Sequence, residues 1–183
     1  RQILMKFDKE DEGFKPVIEI SIQDQCLRLQ LRDEVKEYVI STAKLGLGQQ
    51  KGSNKTPLGW HVVRAKIGAG SAINSVFIGR RFTGEIYSTE LAQQFPDRDW
   101  ILSRILWLSG CEIGRNRLGN VDSMQRYIYI HGTPDTEPMG VPESHGCIRM
   151  RNTDVIELFD LIPSGTPIWI QESTFERIRC QSV

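Results

Sequence analysis

The sequence predicts a mainly β domain with one packed helix and a second, short one. Three observations point there. Apolar and polar residues alternate through short runs at 17–22, 26–31 and 60–67, the two-residue period of a half-buried strand. Polar, Gly- or Pro-bearing stretches separate these runs. Helical character is confined to 89–95 and 152–162.

The first two runs are joined by Gln23-Asp24-Gln25, a hairpin connection, and a third strand over 35–41 follows the turn Arg32-Asp33-Glu34. The loop 46–56 is rich in Gly, Gln, Ser and Asn. No Gly-Lys-Ser/Thr follows its glycines before a helix, so it is not a phosphate cradle. Pro57 and Gly59 set a turn into the strand 60–67. The middle, 68–121, carries a short strand at 76–79 and a short helix at 89–95 stopped by Pro96. A buried strand at 100–108 is interrupted by the polar pair Ser103-Arg104. Within the polar loop 110–121, Arg115 and Arg117 either meet a substrate carboxylate at a cleft rim or sit in solvent, and solvation is the plainer reading.

Tyr127-Ile-Tyr-Ile130 alternates and delivers His131 to the end of a sheet. Pro134, Pro138, Gly140 and Pro142 force 133–143 to loop back. Asn152 is placed to cap a helix and Asp154 to favour its first turn. Val155, Ile156, Leu158, Phe159 and Ile162 form its apolar face, Pro163 and Gly165 end it, and 168–170 is the last strand. The organisation expected is a tail over 1–16, one domain over 17–170 and a tail over 171–183.

The chain of 183 residues suits one core. Lys plus Arg number 23, as do Asp plus Glu, so no net field calls for nucleic acid or an anionic membrane. No apolar run spans a bilayer. The four cysteines do not make a disulfide framework, and Cys26, Cys111 and Cys180 read as small buried hydrophobes. His61, in an alternating run, reads as structural. Residues before Val17 are charged and lack a secretory apolar region. A native start at Met5 implies the cytoplasm, whereas removal of a signal peptide before Arg1 implies the cell envelope.

Chemistry concentrates in His131-Gly132 and Ser144-His145-Gly146-Cys147-Ile148-Arg149. A free thiol titrates near ~8.5 and needs a base to become a nucleophile. Imidazole can take that proton and return it to a leaving amine. Glycine beside the cysteine permits close substrate approach and exposes amide N–H groups, those of Gly146 and Cys147, to an oxyanion. His131, His145 and Cys147 are also legitimate zinc ligands. However, His-x-Cys is an unusual chelating spacing and no fourth ligand lies close, so thiol chemistry is preferred over a metal.

This pattern resembles the signature of the YkuD, or L,D-transpeptidase, family: a histidine, a loop, then Ser/Thr-His-Gly-Cys, a hydrophobic residue and Asn or Arg. The loop from Gly132 to Glu143 is somewhat shorter than the commonest spacing. The resemblance runs from about Val17 to Ile170. It implies a β-sandwich or barrel-like sheet with a helix packed on it, and Cys147 as nucleophile with His131 as its base. The backbone carbonyl of Gly132 would orient the ring, and no cofactor is needed. Ser144 would orient the motif and Arg149 pair with a substrate carboxylate or brace its strand. His145 stays open between support, oxyanion assistance and substrate contact.

The implied substrate is a murein tetrapeptide stem or muropeptide. It would be cleaved between the L-centre of diaminopimelate and the terminal D-alanine, through a Cys147 thioester. Water as acceptor makes an L,D-carboxypeptidase of peptidoglycan recycling, the preferred reading. An amine acceptor makes an L,D-transpeptidase. A non-catalytic murein-binding or zinc-stabilised module is the remote rival.

Overall fold

Eight strands close on themselves in the computed structural model, which describes residues 13–176. In chain order the strands are β1 (Val17–Ser21), β2 (Cys26–Gln30), β3 (Val35–Ser41), β4 (Gly59–Ile67), β5 (Ser75–Ile78) and β6 (Arg81–Ile86). The short helix α1 (Thr89–Gln94) precedes β7 (Ile101–Gly110) and a 3-10 turn at Gly119–Val121. Then come β8 (Tyr129–Gly132), β9 (Ile148–Met150), helix α2 (Asn152–Leu161) and β10 (Pro167–Gln171). The ring runs β4-β10-β1-β2-β3-β9-β8-β7 and returns to β4, with the β5–β6 hairpin hung on β7. Closure leaves no unpaired edge among those eight strands.

The alternation that predicts the strands also fills the ring. Ile18 and Ile20 of β1, Leu27 and Leu29 of β2, and Ile168 and Ile170 of β10 are fully buried. They meet Leu106, Leu108, Ile130 and Ile148 and the buried face of α2, Val155, Leu158 and Phe159. Each such side chain contributes about 1.5–3 kcal/mol by leaving water. Antiparallel neighbours dominate, but β1–β10 and β8–β9 are parallel. Among the described residues no helix is long and apolar enough to cross a membrane.

Several local expectations change. Strand β6 was not anticipated: it is largely exposed and holds Gly84, so its sequence carries no burial pattern. Helix α1 is capped by Ser88, whose Oγ accepts from the Leu91 N–H at 3.1 Å. Asn152 is not the cap of α2. That place is held by Arg151, and Asn152 is the first helical residue with its amide turned inward. Cys111 is exposed and Cys26 half-buried, so neither is a core hydrophobe, and Cys180 lies outside the described residues. The 110–121 loop is pinned by Asn116, whose Nδ2 donates to Leu58 O and Trp60 O at 3.0 Å each. Arg115 pairs with Glu112 at 3.1 Å.

His61 is structural. Its Nδ1 lies 3.0 Å from Gly59 O and its Nε2 2.8 Å from Ser123 Oγ. Burial pushes its pKa down to about 4, against the pull of the Gly59 carbonyl. The unfolded ring, near ~6.5, binds the proton more readily than the folded one, so stability falls as pH drops from about 6.5 toward 4. The full drop is worth about 3 kcal/mol. Urea midpoints across that window are expected to decline, and more gently in a His61→Gln variant. Equal slopes in both proteins would remove this account.

Candidate active site

β8 and β9 lie side by side in parallel, with Ile130 opposite Ile148, His131 opposite Arg149 and Gly132 opposite Met150. One step back, the Tyr129 N–H donates to the Sγ of Cys147 at 3.3 Å. Alternate residues of a strand share a face, so Tyr129 and His131 project with Cys147 and Arg149. A two-residue offset across neighbouring strands separates the Cα atoms of His131 and Cys147 by about 8 Å. The long loop 133–143 thus returns the chain beside the strand it left.

His131 is buried, and its Nδ1 lies 2.6 Å from the carbonyl oxygen of Gly132. A carbonyl only accepts, so Nδ1 carries the proton and Nε2 holds the free lone pair. Burial lowers the pKa of the ring, opposed by the Gly132 carbonyl and then by Asp99. The ring is therefore neutral, with a base at Nε2.

The thiol of Cys147 donates to Tyr127 O at 3.3 Å, and the residue packs against the cluster formed by Phe77, Ile105 and Tyr129. Burial pushes it up to about 11, only partly countered by the Tyr129 N–H. Among the described residues no hydrogen bond joins it to His131. Desolvation disfavours a charge on either group, and the resting pair is thiol and neutral ring.

Gly132 has a steric reason to be glycine: a Cβ there would stand 2.5 Å from both Asn152 Oδ1 and Leu102 O. Gly132→Ala is expected to destabilise the protein by about 1–3 kcal/mol, read as a lowered Tm. An unchanged Tm would show that this packing yields freely.

The Ser144–Cys147 turn is tied from within. Ser144 Oγ donates to Cys147 O at 2.5 Å and accepts from the Gly146 N–H at 3.3 Å. The Gly146 amide is thereby engaged, which corrects the expectation that it faces a substrate. Gly146 sits at φ +130, where a side chain is strained. Thr56 Oγ1 donates to Gly146 O at 2.9 Å and accepts from the Ala43 N–H at 3.0 Å, joining the 46–56 loop to the motif.

Two other motif residues, His145 and Arg149, meet at Asp99. The His145 ring is exposed, its Nδ1 3.7 Å from Asp99 Oδ2. Arg149 is buried, with Nη2 3.1 Å from Asp99 Oδ1 and Nη1 donating to Glu143 O at 3.3 Å. Of the two uses expected for Arg149, this one is bracing. Arg115 and Arg117 line neither cavity beside His145. Among the described residues no three His, Cys, Asp or Glu side chains are placed to hold a metal ion together.

Sequence reasoning missed the support beneath Gly132. Asn152 Nδ2 donates to Thr133 O at 2.8 Å and to Asn74 Oδ1 at 3.1 Å, while its Oδ1 accepts from Ser103 Oγ at 2.7 Å. Ser103 lies at φ +70 in a bulge of β7, turned fully inward. A polar residue inside an apolar run was the available signal.

The family model for the L,D-transpeptidase catalytic domain, YkuD, matches residues 15–170. YkuD of Bacillus subtilis is 51% identical over 41 residues, which are 22% of this chain and 25% of that protein. YbiS of Escherichia coli K12 is 44% identical over 43 residues, 24% of this chain and 14% of that one. An L,D-transpeptidase from Mycobacterium smegmatis superposes with a TM-score of 0.51 at 18% identity, over 87% of this chain and 59% of that one. L,D-transpeptidase 3 from Mycobacterium tuberculosis gives 0.53 at 17% identity, over 87% and 62%. At these identities the structural likeness speaks for the fold.

Proposed function

The chain belongs to the family of L,D-transpeptidase catalytic domains, and we propose that it performs acyl transfer on murein tetrapeptide stems. Cys147 is the nucleophile and His131 the base. The reading is carried by one observation: Nδ1 of His131 is fixed on the Gly132 carbonyl, which leaves Nε2 free on the face shared with Cys147.

Nε2 takes the thiol proton as sulfur attacks the carbonyl at the L-centre of diaminopimelate. The Cys147 N–H faces the oxyanion. The C–N bond breaks, Nε2 returns the proton to the departing amine of D-alanine, and a thioester remains. Attack by an amine or by water, its proton passing to Nε2, then frees the sulfur as a thiol.

The acceptor distinguishes transfer from hydrolysis. A cavity of about 220 Å³ beside His145 carries Asp97, Asp99 and Glu137, with Arg98 and Arg149. Three carboxylates against two guanidiniums leave this cavity with an excess of negative charge, which supports an amine acceptor and hence transfer beside the hydrolysis preferred from the sequence. Purified protein incubated with disaccharide tetrapeptide and an excess of a different D-amino acid tests this. An exchanged tetrapeptide supports transfer, tripeptide alone supports hydrolysis, and an unaltered substrate refutes both.

A further inference from the structure

The exposed His145 ring separates two cavities of unlike charge. The acid-bearing one is described above. The other, about 280 Å³, lies between residues 51–54 and the turn 125–128. Its charged or ionisable lining groups are Lys51, Arg126, Tyr127 and His145, and no carboxylate lines it. This cavity adjoins the sulfur, because Tyr127, which lines it, supplies the carbonyl that the thiol bonds.

Its walls are built around Arg126. Nη1 donates to Gly48 O and Gln49 O at 3.2 Å each, and Nη2 to Ser53 Oγ at 3.3 Å and Lys55 O at 2.6 Å. All four acceptors are neutral. Among the described residues no carboxylate pairs with this half-buried guanidinium, so its charge stands uncompensated. The Lys55 carbonyl it holds lies 3.4 Å from where a Cβ on Gly146 would be, which places the guanidinium next to the Gly146–Cys147 turn. Lys51 is exposed, its backbone N–H fixed on Asn120 O at 2.7 Å.

We propose that this cavity is a carboxylate subsite, in which Lys51 receives the terminal carboxylate of the D-amino acid that leaves the donor stem. Arg126 spends four of its five N–H groups on the loop, so it acts as a positioning residue that also contributes field. Lys51 keeps its three donors for the ligand. The cavity across His145 carries Asp97, Asp99 and Glu137 against Arg98 and Arg149, so the carboxylate-free cavity is the better match for the leaving group. The assignment deepens the donor reading of the preceding section and rests on it.

The test pairs disaccharide tetrapeptide with its C-terminal carboxamide. In the wild-type protein kcat/KM is expected to favour the acid by about tenfold. In Lys51→Met the preference falls toward one because the acid is processed more slowly, while the carboxamide keeps its rate. Lys51→Arg retains most of the preference. An unaltered preference in Lys51→Met, or a wild-type protein that turns over the two peptides with equal kcat/KM, overturns the subsite. Titrating both peptides onto Cys147→Ala protein, with and without Lys51→Met, reads the subsite without turnover. Equal binding of acid and carboxamide there refutes it. Tighter binding of the acid that Lys51→Met abolishes upholds it, even if wild-type protein releases no D-alanine and the donor reading fails.

Discussion

Cys147→Ala protein is expected to fold and to lose D-alanine release by about four orders of magnitude or more. The sulfur is the only atom of the site that bonds covalently to the acyl group in the proposed route, so no residual path through a thioester exists. Its removal leaves the ring intact. Cys147 belongs to no named strand, and it packs against the small Phe77–Ile105–Tyr129 cluster, apart from the main core. A Tm within a few degrees of wild type and an intact-mass spectrum without an acyl adduct are the paired readouts. An alanine variant that still turns over would overturn the mechanism, whereas an unfolded one would assign Cys147 to stability instead. Cys147→Ser, with an alcohol far less ionised at neutral pH, separates these outcomes by preserving volume.

The strands were legible where one face is buried and the other wet. β1, β2 and β10 carry that alternation in their own residues, and their burial follows it. β6 pairs with β5 chiefly through its backbone while most of its side chains stay in solvent, so no alternation in its residues announces the strand. The residues proposed to react were legible because Cys147 and His131 sit in a short motif with its own chemistry. Their supports were hidden for a physical reason: each works through contacts across long stretches of chain. Asn152 looks like a cap from its neighbours, yet it bonds Ser103 and Asn74, far away in sequence. Arg126 looks like a surface cation until the 48–55 loop folds over it. The ionisation state was equally invisible, since it depends on how much water the closed ring leaves around the sulfur.

That state makes the second large effect specific. With the thiol at about 11, roughly one Cys147 in ten thousand is ionised at pH 7 in the resting protein. Alkylation by iodoacetamide is therefore expected to be slow and to climb about tenfold per pH unit until near 11. Turnover does not need that preformed thiolate, because Nε2 of His131 can take the proton as the substrate carbonyl is attacked. His131→Ala should accordingly lower kcat/KM by about 10²- to 10⁴-fold while leaving the alkylation profile close to wild type. The acid limb of the wild-type pH–rate profile belongs to the same ring. Activity is lost as Nε2 becomes protonated, and burial moves that point below the ordinary histidine value. The limb should fall below pH 6.5 and vanish in His131→Ala. A resting thiolate–imidazolium pair makes the opposite forecast, fast alkylation at neutral pH that collapses when His131 is removed. The two arrangements differ in whether charge separation precedes substrate or accompanies it. With no countercharge on His131 and a sulfur held by Tyr127 and Tyr129, the energetics favour the second.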